Sequence, residues 1–217
     1  MVFLWDEAWF AFAGFTYTYK QRTGMYVAQK LFNKYRSAAY KKQYQEHIKS
    51  LKAEEIASLP DPEKVKIRVY ATQSTHKTMS SFRQGSMIQI WDEEFSRRVA
   101  DTFQESYMTH TTTSANYQIL ASLDAGRRQA ELEGYELVEK SIEMAMILRS
   151  KVKDHPKLSK YFHVLTVNDL IPKAYRACGQ KEYYTIEDGW DRMEESWEKD
   201  EFVLDPTKVT LSVGKAG

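Results

Sequence analysis

Apolar positions fall into short runs separated by longer stretches of helix formers. Val2-Phe3-Leu4-Trp5 is one such run, and it stops at Asp6, the pattern of a buried strand closed by an acid. Val65, Ile67 and Val69 alternate with Lys66, Arg68 and Tyr70, which predicts a second strand. Ser86 to Trp91 reads as a third short strand, with a loop at Asp92-Glu93 after it. "YFHVLTV" from Tyr161 and the end of "DPTKVTLSVG" from Asp205 predict two more. Helix is expected from about Tyr26 to Leu59, where no proline intervenes before Leu59-Pro60-Asp61-Pro62 stops it. A second helix is expected from Phe95 to about Tyr107. A long one runs from Ser114 or Tyr117 to Val152, with Tyr135, Val138, Ile142, Ala145, Leu148 and Val152 on one apolar face. Phe10–Tyr19, Met108–Tyr117 and the stretch from Asn168 to Glu201 read as loops or irregular structure. Strands alternating with helices define the α/β class.

Composition narrows the function classes. Lys and Arg total 31 against 30 for Asp and Glu, so net charge gives no reason to expect nucleic acid or a membrane surface as partner. A single cysteine, Cys178, excludes a disulfide framework within the chain and points to a reducing, cytoplasmic setting. No apolar run approaches the length of a membrane span. The opening stretch lacks a basic region and is interrupted by Asp6 and Glu7, so it does not read as a signal peptide. At 217 residues the chain suits one domain or a large piece of a bigger one. It opens inside a strand and closes just after another, which is expected of a piece.

The candidate chemistry lies between Val69 and Met87. Ser74, Thr75, His76 and Lys77 directly follow a strand, and ligand sites of open α/β sheets lie at the carboxyl ends of strands. Asp6 closes a strand in the same way. A lysine that attacks an aldehyde must lose its proton, which nearby carboxylates oppose, and no Asp or Glu lies between Arg68 and Trp91. The hydroxyls of Ser74 and Thr75 and the imidazole of His76 are donors suited to a phosphate. These residue types point to a phosphate-bearing carbonyl cofactor; the alternative is a solvated surface lysine.

The motifs also carry a resemblance. Thr72-Gln73-Ser74-Thr75-His76-Lys77-x-x-Ser80-Ser81 resembles the pyridoxal-phosphate attachment site of the bacterial ornithine/lysine/arginine decarboxylases of fold type I. Asp6-Glu7-Ala8-Trp9 resembles their D-x-A-W segment, Tyr107–Arg128 their H-T-T-T-S-P-x-Y region, and Leu204–Gly214 a strand near the end of the large cofactor domain. The order is the family's. Ala115 in place of a usual proline, and Arg83 and Gly85 around Gln84, depart from its pattern.

The resemblance implies a partial PLP-dependent transferase (aspartate aminotransferase-like) large domain, with a mixed, mostly parallel sheet flanked by helices. Residues 1–217 would be the C-terminal part of the PLP-binding major domain. A helical insertion at about 26–62 would project from its surface. The phosphate loop, a ring-stacking residue and the C-terminal domain would lie outside this sequence. Lys77 would bind pyridoxal 5'-phosphate as a Schiff base, and Asp6, as a buried carboxylate, would pair with the ring nitrogen. Ala8 would lie under the ring, and Ser74 and His76 would hold the phosphate. Thr112 would reach the phosphate of a neighbouring subunit in a homodimer or higher homo-oligomer. The implied reaction is decarboxylation of arginine, lysine or ornithine to an amine and CO2. The alternatives are another pyridoxal-phosphate reaction such as aminotransfer, or a catalytically inactive fragment that serves oligomerisation.

Other chemistry-bearing residues have structural readings. His47, His110, His155 and His163 suit exposed or hydrogen-bonded positions. Trp5, Trp9, Phe10, Phe12 and Phe15 suit core and subunit contacts. Glu194, Glu195 and Glu198 suit a solvated helix face. No spaced His/Cys set suggests a metal, and Cys178 has no evident base partner.

Overall fold

The computed structural model describes residues 2–51, 58–176, 178 and 189–214, with the side chains of 189–192 excepted. They belong to two compact units, Met1–Gly14 with Lys20–Leu132, and Phe15–Tyr19 with Glu133–Gly217.

The first unit is built on a three-stranded sheet in the order β1-β2-β3: β1 (Val2–Asp6), β2 (Arg68–Gln73) and β3 (Met87–Asp92). β1 and β2 run parallel, from Val2 opposite Arg68 to Asp6 opposite Thr72. β3 is antiparallel to β2, with Arg68 opposite Asp92 and Gln73 opposite Met87. The expected mostly parallel sheet therefore has one parallel and one antiparallel pair here. The cause lies in the connections. A two-helix crossover separates β1 from β2, whereas residues 74–86 hold a single helical turn, α3 (Thr75–Thr78), and fold back over the end of β2.

This register sorts side chains between two faces. Phe3, Val69 and Trp91 lie side by side, and so do Trp5, Ala71 and Gln89. Their face packs on α1 (Gly24–Arg36), where Ala28, Tyr35, Tyr40, Ile67 and Val69 form a buried cluster. The opposite face carries Leu4, Tyr70 and Ile90, then Asp6, Thr72 and Ile88, and Leu4 is 83% exposed.

The helix expected over Tyr26–Leu59 is broken. α1 ends at Arg36, and α2 (Ala38–Ser50) starts immediately after an extended Ser37. The Ser37 side chain accepts the Tyr40 N–H and donates to the Lys34 carbonyl, so one residue closes α1 and caps α2. Residues 52–57 of the expected helix lie outside the described residues. α1 and the start of α2 contribute to the core through Ala28, Tyr35 and Tyr40, and the Tyr40 hydroxyl donates to the Pro60 carbonyl at 2.9 Å. The Arg36 guanidinium donates to the carbonyls of Pro62 and Val65 and pairs with Glu93 at 2.7 Å, which ties α1 to the sheet.

Charge organises one end of β2 and β3. Buried Glu94 pairs with Arg68, Arg97 and Arg98, and the Arg68 guanidinium foremost holds its carboxyl below the usual range. The Tyr70 hydroxyl donates to Asp92 at 2.6 Å; burial first, and then this bond, push its pKa up to about 12. One π-helical turn, Phe95–Val99, leads into α4 (Ala100–His110), and α5 (Tyr117–Asp154) contributes residues to both units.

In the second unit α5 buries Val138, Ile142, Ala145, Met146 and Val152, whereas Tyr135 and Leu148 of the expected face are exposed. Arg149, 2% exposed, takes the position expected of Leu148 and donates to the carbonyls of Pro206 and Lys208. α6 (Leu158–Tyr161), α7 (Val167–Leu170) and α8 (Gly189–Lys199) follow. The two expected late strands shrink to an antiparallel pair of two residues each, β4 (His163–Val164) and β5 (Leu211–Ser212).

Candidate functional site

β1 and β2 are parallel neighbours, so Asp6 and the Ser74–Lys77 turn emerge at the same end of the sheet. After Asp6 the chain turns tightly. The Ala8 N–H donates to Asp6 Oδ1 at 2.9 Å, the Glu7 N–H to the Thr72 carbonyl at 2.9 Å, and the Phe10 N–H to the Glu7 carbonyl. After Gln73, α3 makes one turn, closed by the Lys77 N–H on the Ser74 carbonyl and the Met79 N–H on Thr75. Beyond it the chain loops back through Gln84, whose φ of 72° lies in the left-handed region, so that the Gly85 carbonyl returns beneath α3.

That carbonyl sorts the polar groups of the turn. Buried Thr75 turns its hydroxyl toward Gly85 and accepts from Ser81 at 3.0 Å, so it serves the fold and not a ligand. A carbonyl only accepts, so the His76 Nδ1 beside it at 2.8 Å carries the proton and donates. Among the described residues no hydrogen bond engages Ser74 Oγ, His76 Nε2 or Lys77 Nζ, and Lys77 makes no ion pair. The Lys77 side chain is exposed, with Nζ 5.0 Å from the centroid of the Trp9 ring.

Asp6, Ala8, Ser74, His76 and Lys77 thus converge at one end of the sheet. Thr112 lies apart, in the exposed loop between α4 and α5, where its hydroxyl accepts the Ser114 N–H at 3.0 Å. Asp6 is exposed, not buried. The buried acid is Glu7, 1% exposed, which accepts from the Gly24 N–H at 2.5 Å and the Gln73 amide at 2.8 Å. Strand alternation explains the exchange: Asp6 belongs to the open face and Glu7 to the face under α1. Trp9 is 58% exposed against Lys77 and is not core; Phe12 is buried, and Phe15 packs on Tyr135 in the second unit.

Gly126 is a further supporting residue that the motifs did not single out. A Cβ there would stand 1.7 Å from the Ser80 carbonyl oxygen, so α5 and the turn after Lys77 meet backbone to backbone. Gly126 falls near the end of the Tyr107–Arg128 region, and nothing in the local sequence announces this contact.

The Orn/Lys/Arg decarboxylase major-domain family model matches residues 35–217. The chain belongs to this decarboxylase family. Its relatives include the inducible lysine decarboxylase of Escherichia coli K12, 41% identical over 86 residues, and a lysine decarboxylase of Hafnia alvei, 33% identical over 145 residues. These matches cover 39% and 66% of this chain but 12% and 18% of the relatives, so the chain spans a small part of their length. The lysine decarboxylase of Francisella novicida shares the fold over 96% of this chain and 23% of its own (TM-score 0.56, 23% identity). Lysine decarboxylase A of Pseudomonas aeruginosa does so over 99% and 25% (TM-score 0.55, 24% identity).

The other candidates of this decarboxylase-family chain have local partners. His47 Nε2 meets Ser58, His155 Nδ1 accepts the N–H groups that open α6, and His163 lies 3.3 Å from Asp169. His110 ends α4 and helps line a groove of about 680 Å³ with Ile88, Phe103 and Tyr107. The Cys178 thiol, without a partner evident in the sequence, donates to buried Asp200 at 3.0 Å. Glu195 pairs with Lys199, and Glu194 accepts from Thr18. Among the described residues no group of three or more His, Cys, Asp or Glu is placed to hold a metal, and no helix is long and apolar enough to cross a membrane.

Proposed function

We propose that this chain is the lysine-bearing, C-terminal part of the cofactor domain of a decarboxylase acting on arginine, lysine or ornithine, with Lys77 as the attachment point of pyridoxal 5'-phosphate. The observation that carries the reading is the placement of Lys77. It stands at the carboxyl end of β2, beside the end of β1, and among the described residues it makes no ion pair and Ser74 Oγ and His76 Nε2 next to it are unengaged. Family membership supports the same reading.

The residues present fit such a group. When bound, pyridoxal phosphate supplies a carbonyl for attachment and a ring that takes up the electron pair left when CO2 departs. Lys77 Nζ is the amine for that carbonyl. Asp6 has one oxygen committed to the Ala8 N–H and the other available to a protonated ring nitrogen, which a carboxylate keeps protonated. Ala8 leaves a flat surface for the ring. The Ser74 hydroxyl and His76 Nε2 would donate to its phosphate. Because Nδ1 already donates to Gly85, His76 donates from Nε2 only when both ring nitrogens carry a proton. Thr112, on its exposed loop, is free to reach the phosphate in a neighbouring subunit of a homodimer or larger homo-oligomer. Lys77, when not attached, would hold on Nζ the proton that replaces CO2 in the product. The setting is cytoplasmic.

The test is release of CO2 and the matching amine from carboxyl-labelled arginine, lysine and ornithine, with pyridoxal phosphate supplied, for the wild-type chain and Lys77→Ala. Release from one of the three, abolished in Lys77→Ala, supports the reading; a keto acid in place of amine and CO2 turns it to aminotransfer. The small share of its relatives that the chain spans favours a second reading, a part that turns over nothing by itself and serves a larger assembly. Attachment at Lys77 without release of CO2 is its signature.

A further inference from the structure

Trp9 and Lys77 meet although they belong to different elements, and each is fixed from behind. The Trp9 turn is held by the Ala8 N–H on Asp6, the Glu7 N–H on Thr72 and the Phe10 N–H on Glu7. The Lys77 turn is held by its N–H on the Ser74 carbonyl and by His76 and Thr75 on the Gly85 carbonyl. Lys77 is exposed and its four-carbon stem could point into water. Its ammonium instead lies 5.0 Å from the indole centroid, within the distance at which a ring quadrupole attracts a cation. The segment from Val69 to Ile90 contains no Asp or Glu; the other charged or titratable groups at this end of the sheet are Asp6 and buried Glu7 at the end of β1 and His76 on the turn of Lys77 itself.

We propose that Trp9 is a positioning residue for Lys77, a platform that holds the lysine over the indole face in its protonated, unattached form. The inference rests on the reading of Lys77 as the attachment lysine for its functional meaning, though not for the contact itself. A ring face attracts the ammonium and not the neutral amine, so the platform opposes the deprotonation that attachment requires. The same attraction keeps the unattached lysine at the strand ends that carry Asp6 and Ala8. Attachment is slowed and the proton-bearing state is kept in reach. Trp9, three residues after Asp6 in the D-x-A-W segment, thereby sets how readily Lys77 exchanges between the two states.

The test is the pH profile of trace acetylation of each lysine, read by peptide mass mapping on the whole chain, for wild type, Trp9→Leu and Trp9→Phe. Labelling of Lys77 below the ordinary lysine pKa is expected to rise about two- to fivefold in Trp9→Leu, with the other lysines unchanged, and Trp9→Phe should return most of the way. Denaturant unfolding of all three, measured alongside, separates a loss of fold from a loss of the ring–ammonium contact. A Lys77 profile that is identical in wild type and Trp9→Leu, or a Trp9→Phe profile that matches Trp9→Leu, overturns the platform. Borohydride trapping with pyridoxal phosphate on the same samples separates the two readings. An adduct on Lys77 without a profile shift removes the platform and leaves attachment. A profile shift with adducts elsewhere removes attachment and leaves the ring–ammonium contact.

Discussion

Asp6 and Glu7 are adjacent carboxylates with opposite fates. Asp6 closes β1 on the open face of the sheet, exposed, with the neighbouring Ala8 N–H as its partner among the described residues. Glu7 passes to the face under α1, where it is 1% exposed and joins three segments of chain through the Gly24 N–H and the Gln73 amide. The same contrast extends across the sheet. The covered face is a core of Phe3, Val69, Ala28 and Tyr35, whereas Leu4 and Ile88 stand exposed on the other. One face holds the fold together, while the strand ends above it present Asp6 and Lys77 on short, hydrogen-bonded turns. The residues most costly to the fold should therefore differ from those most costly to chemistry.

The largest expected effect is on the covered face. Glu7→Ala leaves the Gly24 N–H and the Gln73 amide without their acceptor in a buried place, so denaturant unfolding should show a loss of about 3 kcal/mol. A loss under about 1 kcal/mol would dissolve the distinction between the two acids. Gly126→Ala comes next. Its new Cβ collides with the Ser80 carbonyl, which cannot rotate away as a flexible side chain would, and about 2 kcal/mol should be lost by the same measurement. Hydrogen exchange should then show the turn after Lys77 opening while the cluster under α1 stays protected.

A pH series sharpens the comparison from the charged end of the sheet. Glu94 titrates below its ordinary 4.5 because Arg68 holds the carboxylate. Its stabilisation is therefore complete above the unfolded value and is lost as pH falls through the folded one. Stability measured from neutral pH into acid should fall less steeply in Glu94→Gln than in wild type; equal slopes would place the acid-sensitive group elsewhere. Asp6→Ala should have the smallest effect on stability, within about 0.5 kcal/mol, since it is exposed and removes one local bond. It should nonetheless abolish CO2 release more completely than it weakens capture of pyridoxal phosphate. Equal loss of both would contradict the role at the ring nitrogen proposed for Asp6.

The parts of this arrangement legible in the sequence are those set locally. An apolar run ended by Asp6, alternation up to Gln73 and the polar turn to Lys77 placed both groups at strand ends, and the long 3.6-residue pattern placed α5. What escaped depends on partners distant in the chain. Ser37 breaks a run of good helix formers with no glycine or proline to announce it, because its hydroxyl serves two helices at once. Glu7 is distinguishable from Asp6 only once β1 is paired with β2 and covered by α1. Arg149 looks like a solvated helix position until the Pro206–Lys208 turn brings it carbonyls to satisfy. Trp9 reads as core by residue type and meets Lys77 only through the parallel register. The short β4 and β5 were predicted too long because apolar content in a run does not secure a partner strand over its whole length.

The most direct test of the central claim is borohydride reduction of the chain after incubation with pyridoxal phosphate, followed by peptide mass mapping of every lysine. The account predicts a reduced adduct on Lys77 well above all other lysines, lost in Lys77→Ala without gain elsewhere. Adducts spread evenly over the exposed lysines, or none on Lys77, would contradict it.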